Sequence, residues 1–536
     1  MGQQDERSRR RRPSDERNDV RRKKRHSNRK HTSDRHRRRR KVKKRENKLS
    51  RTIGLVLAIV QLVATGIFMA GIFKLNMLPT KYVVAATVAL VLFWGIILAS
   101  QFFFKKNAIT ITGKVFSILI SIVLIFLSYY LFKVSGTVSQ ISGGDYKVDK
   151  VVVAVMKDNS AETLEDAKDY TFGVQYKMNG EQIKQTVQAI NEELGTEIKT
   201  EEYATWEEQI QALYDGKVDA IIYNQGFTGV LEEAFEGYED NTKVIYSYDI
   251  KTEIEDTSSD VEVKKDTFSV CISGFDVYGP IESTRSRSDV NIIAEVNPTT
   301  HQILLVTTPR DYYVEIPGVS GGEKDKLTHA GIYDIDTPMK TLEQLYDTEI
   351  DFYARVNFTS LITMVDALGG VDVESEYAFT TSEDSGLVMD VVQGTNHFNG
   401  KQALAFSRER QNVPGGDNQR GKDQQAVITA MIKKMVSPAI LTGANGILNS
   451  VSGNVETNMS EAQIQELIKT QLSENPQWTI TSMAADGTGD TQYCYSYSGK
   501  PLYVMQPNQE SVDAIKEAMD KVENGETLEG GTTTTE

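Results

Sequence analysis

Between Asp276 and Gln424 the chain gathers residue types suited to one class of ligand. Asp276, Arg287-Ser288-Asp289, Pro309-Arg310-Asp311, Arg408-Glu409-Arg410, Asp417, Arg420 and Gln424 stand on a strongly acidic background. A guanidinium fork takes phosphate oxygens in bidentate fashion, and carboxylate oxygens ligate Mg²⁺. A set of this kind is what a site for a pyrophosphate and a divalent metal requires. A charged hydrogen bond to phosphate is worth about 1.5–3 kcal/mol, while an isolated exposed ion pair contributes about 0–1 kcal/mol, so convergence carries the reading and no single pair does. No Ser/His or Cys/His nucleophile arrangement accompanies the set. The six histidines form no ligand constellation, and Cys271 and Cys494 lack metal-ligand spacing. The two cysteines are expected either to form a disulfide or to stay as buried thiols.

The flanking patterns say how these side chains could meet. A strand at Phe268–Ile272 runs into the loop that carries Asp276. Val290–Val296 and Gln302–Thr307 read as strands joined by the turn Asn297-Pro298-Thr299-Thr300-His301. A hairpin centred on that turn places Asp289 nearly opposite Arg310 at its open end. Ala405–Arg410 reads as a strand, with period-two alternation putting Arg408 and Arg410 on one face. Asp417 is placed to cap a helix through Met435, on which Arg420 and Gln424 share a face. Its stripe of Val427, Ile428, Met431 and Met435 serves either as core or as the wall of a lipid pocket.

Charge and hydropathy say where the site is displayed. Residues 1–50 carry about 23 basic against about 7 acidic residues, and should be a disordered cytoplasmic arm. Residues 51–133 hold three apolar runs, Ile53–Phe73, Tyr82–Phe104 and Val115–Phe132, each near the ~20 residues that cross a bilayer as a helix. The remainder carries about 30 basic against about 67 acidic residues, so the net charge of −14 averages two opposite compartments. Positive flanks stay inside, which makes the chain a multipass membrane protein with its N-terminus cytoplasmic and its C-terminal part extracytoplasmic. The arm would touch anionic membrane lipids; a nucleic-acid partner is not expected, since neither a recognition helix nor interleaved aromatics accompany the charge. Beyond the spans, residues 134–146 read as a tether, 147–262 as a small α/β accessory domain, 263–522 as a larger α/β domain, and 523–536 as a disordered tail.

Taken together, Asp289 in Arg-Ser-Asp, Pro309-Arg310-Asp311, Val365-Asp366-Ala367-Leu368-Gly369-Gly370-Val371-Asp372, and Arg408-x-Arg410 followed by Asp417, Arg420 and Gln424 resemble the LytR-CpsA-Psr (LCP) family. Three spans and an intervening small domain are similar to its capsule-associated CpsA branch. Asn357, Thr328 and Val290 depart from the residues expected of that family. The resemblance implies an α-β-α sandwich with a mixed central sheet on the outer face of a Gram-positive membrane. It also implies transfer of an anionic glycopolymer, here capsular polysaccharide, from a polyprenyl-pyrophosphate carrier onto peptidoglycan. By position, Asp276 and Asp289 resemble the metal-side carboxylates for Mg²⁺ or Mn²⁺. Arg310, Arg408, Arg410 and Arg420 resemble the pyrophosphate-binding arginines, Gln424 a polar partner, and Arg287 joins them from its Arg-Ser-Asp.

The chemistry that follows is metal-assisted phosphoryl-group transfer, with Arg310 stabilising charge and Asp311 or Asp417 positioning or deprotonating the acceptor hydroxyl. Two rivals share the motifs. A lipid-pyrophosphate hydrolase needs the same ligands, and a non-catalytic regulator would bind the lipid-linked polymer and act with capsule-assembly proteins.

Overall fold

A computed structural model describes residues 37–38, 48–104, 107–141, 146–253, 259–275, 281, 285–334, 336–437, 454–530 and 532–533. Asp276, the expected second metal carboxylate, lies outside them, as does most of the basic arm.

Three helices are long and apolar enough to cross a membrane: α1 (Lys48–Leu75), α2 (Thr80–Phe102) and α3, whose apolar stretch is Ala108–Val134. The third exceeds the short span expected from Val115, because Ile109 and Ile111 extend its apolar run upstream. Trp94 Nε1 donates to Ala58 O at 2.9 Å and Ser117 Oγ to Leu57 O at 3.0 Å, so polar groups bridge the helices. Large side chains such as Phe93, Ile96, Ile122 and Phe126 are exposed, which suits a lipid surround. As a helix, α3 runs from Asn107 to Ile141. Most of the expected tether is therefore helical, since a helix already formed propagates through Ser, Thr and Gly at a cost of at most about 1 kcal/mol per residue.

Next comes a five-stranded sheet in the order β3-β2-β4-β1-β5. Its strands are β1 (Tyr146–Met156), β2 (Thr171–Val174), β3 (Lys199–Glu202), β4 (Ala220–Asn224) and β5 (Thr242–Glu253). Helices α4 (Gly180–Leu194), α5 (Trp206–Tyr214) and α6 (Thr228–Ala234) connect them. Alternation on β1 splits its residues, Val151 and Val153 facing one core cluster and Val152 and Ala154 another.

The larger sheet has seven strands and is mixed, in the order β10-β9-β6-β7-β8-β11-β14. These are β6 (Phe268–Phe275), β7 (Ser288–Asn297), β8 (Gln302–Thr307), β9 (Phe352–Asn357), β10 (Val455–Thr457), β11 (Thr479–Ala484) and β14 (Thr532–Thr533). β9 runs parallel to β6 and β11 to β8, while β6-β7-β8 form an antiparallel meander. The hairpin β12 (Gly487–Cys494) and β13 (Tyr497–Pro507) forms a separate two-stranded sheet, with Met505 N donating to Asp311 O at 2.7 Å.

Period-two alternation gives this sheet two apolar faces. Ile293, Leu304 and Val306 pack against α7 (Thr337–Tyr346) and α12 (Gln509–Glu523). Ile292, Ile303 and Leu305 pack against Ile428 and Ile432 of α10 (Asp417–Met435). Each such side chain, fully buried, contributes about 1.5–3 kcal/mol. The result is the α-β-α sandwich. α8 (Phe358–Ala367), α9 (Gly400–Arg408) and α11 (Glu461–Glu474) start at capping boxes built on Asn357, Asn399 and Ser460.

That second box overturns the strand expected at Ala405–Arg410. Asn399 and Gln402 cap each other's backbone and start a helix that ends at Arg408. Part of the tail is ordered against the sheet: Leu528 packs on the core, and Thr532–Thr533 pair with Thr479–Ile480. Cys271 and Cys494 are both buried free thiols, in separate core clusters.

Candidate functional site

The site is built at the open end of the β7–β8 hairpin. Ile292 faces Thr307 in the ladder, and the same register carried outward sets Asp289 against Arg310. Arg310 Nη1 lies 3.0 Å from Asp289 Oδ1, and its Nε lies 3.6 Å from Asp311 Oδ2. Lys326 Nζ approaches the other Asp311 oxygen at 3.4 Å, and Thr328 Oγ1 donates to Asp289 Oδ1 at 2.9 Å. Lys326 and Asp311 are both buried, so this is an interior charge network.

α10 brings in the other wall. Its N-cap is Gly416, so Asp417 is the first helical residue and not the cap. There Asp417 Oδ1 pairs with Arg420 Nη2 at 2.8 Å. Arg408 ends α9 with its guanidinium 4.5 Å from the Phe358 ring centre, and Arg410 follows in the loop. Glu409, fully buried between them, accepts backbone N–H groups from Arg410, Gln411 and Asn412 at 2.9, 2.7 and 3.0 Å, and also from Ser382. A carboxylate thus closes the loop that presents both arginines.

Ionisation follows from this crowding. Burial works against the Asp289 carboxylate, but Arg310, Arg287, Arg420 and the Thr328 hydroxyl outweigh it and hold its pKa below the ordinary carboxylate value. Burial opposes the Arg310 cation, yet Asp289, Asp311 and Asp417 raise its pKa. Arg420 moves the other way: burial and the neighbouring Arg310 lower it, against the pull of Asp417 and Asp289. Burial also opposes ionisation of Glu409, and the N–H groups it accepts bring it below its ordinary range. Arg310 Nε and Arg420 Nε are buried without a hydrogen-bond acceptor among the described residues. Crowded guanidiniums with donors to spare are what an incoming polyanion would satisfy.

A cavity of about 570 Å³ joins this cluster to an apolar slot. Arg287, Asp289, Arg310, Asp311, Lys326, Arg408, Arg410, Arg420 and Gln424 line one part of it. Leu361 and Met364 of α8, Leu404 of α9 and Ile428, Met431 and Met435 of α10 line the rest. The α10 stripe therefore both lines the cavity and, through Val427 and Met431, sits in a core cluster. A second cavity, about 290 Å³, shares Asp289, Arg310, Arg420 and Gln424 with the first and adds Asp417, Asn418 and Asp486.

All the expected site residues within the described part thus border one cavity or the other. Asp417 borders only the smaller, and Asp311 only the larger. Sequence reasoning gave no role to Lys326, Thr328 or Glu409. Lys326 ends the short strand Lys324–Lys326 and Thr328 lies just after it, with no periodic signal, and Glu409 looked like a spacer between arginines. Asn357 caps α8 through Ser360 N at 2.9 Å, and Val290 faces Gly274 across the ladder.

The LytR_cpsA_psr family model matches residues 234–521. The polyisoprenyl-teichoic acid–peptidoglycan teichoic acid transferase TagU of Bacillus cereus (strain AH820) is 31% identical over 242 residues, covering 42% of this chain and 77% of that protein. TagU of Enterococcus faecalis is 36% identical over 197 residues, covering 37% of this chain and 63% of that one. Among solved structures, B. subtilis TagU aligns at 28% identity with a TM-score of 0.37, over 49% of this chain and 99% of its own. TagT bound to LI-WTA aligns at 26% identity with a TM-score of 0.39, over 50% and 94%.

Proposed function

Because the chain belongs to the LytR_cpsA_psr family, we propose that it transfers an anionic glycopolymer from a polyprenyl-pyrophosphate carrier to peptidoglycan. The observation that carries this reading is a cavity whose arginine-rich part opens into an apolar slot. A carrier of this kind has the same two halves, a pyrophosphate and a long hydrocarbon chain. Capsular polysaccharide is the polymer proposed, from the three apolar helices and the small domain, most of which precedes the family-matched segment. The proposed topology keeps the basic arm cytoplasmic and the family domain outside.

In this mechanism Arg310, Arg420, Arg287, Arg408 and Arg410 bind the pyrophosphate, and Gln424 orients it. An oxygen of the acceptor hydroxyl attacks the phosphorus that bears the sugar. A new P–O bond forms, the bond from that phosphorus to the bridging oxygen breaks, and polyprenyl phosphate leaves. The hydroxyl proton passes to Asp311 or Asp417, and the arginines neutralise the charge on the departing phosphate. Mg²⁺ or Mn²⁺ would supply further charge neutralisation when bound. The residues present fit such an ion, because Asp289 is held ionised and Mg²⁺ is commonly bound by one or two carboxylates together with substrate phosphates. Asp289 and Asp276 would hold it.

The test uses the full chain in lipid nanodiscs with a polyprenyl-pyrophosphate oligosaccharide, Mg²⁺ and soluble peptidoglycan fragments. Mass spectrometry is expected to find a glycan-phosphate adduct with the wild type and at least about 10²-fold less with Arg310→Ala or Asp289→Ala. Free sugar phosphate without adduct would replace the transferase with a hydrolase. Bound but unreacted lipid would replace it with a regulator.

A further inference from the structure

The segment leading into Asp289 is gripped by the small α/β domain. Arg285 Nε meets Asp149 Oδ1 at 2.8 Å, with side-chain exposures of only 7% and 1%. Asn224 Nδ2 donates to the same carboxylate oxygen at 3.2 Å, and Arg285 Nη1 donates to Tyr333 O. Apolar packing continues along the seam. The Phe227 and Tyr333 rings meet edge to face at 5.8 Å, and one core cluster joins Trp206 and Leu231 to Ile332, Leu502 and Val504. A buried ion pair of this kind is weak evidence for added stability, but it fixes where its partners sit.

Two glycines of the small domain receive the arginine segment. A methyl group built on Gly226 would lie 2.9 Å from Arg285 Cβ. A methyl built on Gly229, in the first turn of α6, would lie 3.0 Å from Arg287 Nε and 3.2 Å from its Cζ. Neither glycine has a positive φ. Space, not backbone conformation, is what glycine provides at both positions.

We propose that the small domain is a positioning element for the phosphate site. Asp149 anchors Arg285, and the bare backbone at Gly229 sets the place of the Arg287 guanidinium, which borders the cavity. The ligand named here rests on the transferase reading. The grip itself comes from residues ahead of the family-matched segment, which begins at 234. Asp149, Gly226 and Gly229 are thus positioning residues for an arginine inside that segment.

A double-mutant cycle on the full chain in nanodiscs tests this. Arg287→Ala should lower kcat/KM by about tenfold or more, the size of one charged hydrogen bond. Gly229→Ala should lower it about threefold to tenfold while leaving the thermal midpoint unchanged or raised, because alanine is the better helix former and the displaced group is the end of a flexible side chain. In the Arg287→Ala background, Gly229→Ala should cost nothing further. Asp149→Asn should act in the same direction and be equally silent in that background. A Gly229→Ala protein with full activity, or additive losses in the double variant, would overturn the positioning role alone. Full activity in Arg287→Ala would overturn both that role and this arginine's place in the transferase. If no protein shows transfer, the same cycle read on binding of a short polyprenyl pyrophosphate decides the proposal separately from the reaction.

Discussion

The two parts of the main cavity are made by different rules. At one, carboxylates and guanidiniums largely withdrawn from solvent hold each other within 2.8 to 3.6 Å, so Asp289, Arg310, Asp311, Asp417 and Arg420 are placed by charge. Along the slot, Leu361, Met364, Leu404 and Met431 offer only surface and shape. The first should be intolerant of any change in atom type. The second should tolerate chemistry that preserves volume and answer to the length of what it binds.

The contrast can be broken at several points. Arg310→Ala should have the largest effect, a loss of transfer on the order of 10²–10³-fold, with a lowered thermal midpoint because Asp289 and Asp311 are left buried beside one another. Mass-spectrometric rates and a melting curve on one preparation check both. Leu361→Trp, which fills part of the slot, should raise KM about tenfold to a hundredfold for long carriers and spare short ones, since each excluded methylene costs about 0.8 kcal/mol. An equal penalty for short and long carriers would mean that the slot does not hold the chain. Thr328→Val removes one hydrogen bond from Asp289 and should cost at most about tenfold in kcat/KM.

A smaller effect distinguishes the two sides of α10. Asp423 is buried, and burial first, with Glu376 and Glu409 adding to it against the Gln419 hydrogen bond, pushes its pKa from 3.8 to about 7. Between those values the folded protein keeps a proton that the unfolded chain releases. Stability from this group is therefore full below the unfolded value and lost as pH rises toward 7. Glu295, pushed to about 8 by burial and by Glu523, Asp351 and Asp520, adds a loss with the same sign. Thermal midpoints of Asp423→Asn should fall less between about pH 5 and about pH 8 than those of the wild type, leaving the Glu295 contribution.

The charged end was the legible one. Asp289 and Arg310 meet because their spacing about the Asn297–His301 turn is a matter of strand register, which a sequence displays. Arg420 and Gln424 share a face by helical period. The strand expected through Arg408 failed because Asn399 and Gln402 lie upstream of the window that looked alternating, and the capping box they form decides the local structure. The apolar slot was visible only as a choice between core and pocket, since a methionine or leucine stripe reads the same in both. The grip on Arg285 and Arg287 was illegible altogether. It joins Asp149 and Gly229 to residues far along the chain, and no local pattern encodes such a meeting.

The ends of the large sheet carry one more consequence. Its outermost strands are short, Val455–Thr457 at one side and Thr532–Thr533 at the other. Long bare strand edges recruit the backbone of neighbouring molecules, and proteins suppress this by making edge strands brief or covering them. Thr532–Thr533 thus act as a guard rail at one end of Thr479–Ala484, pairing with Thr479 and Ile480. That guard shortens the length of bare backbone that a neighbouring copy could pair with.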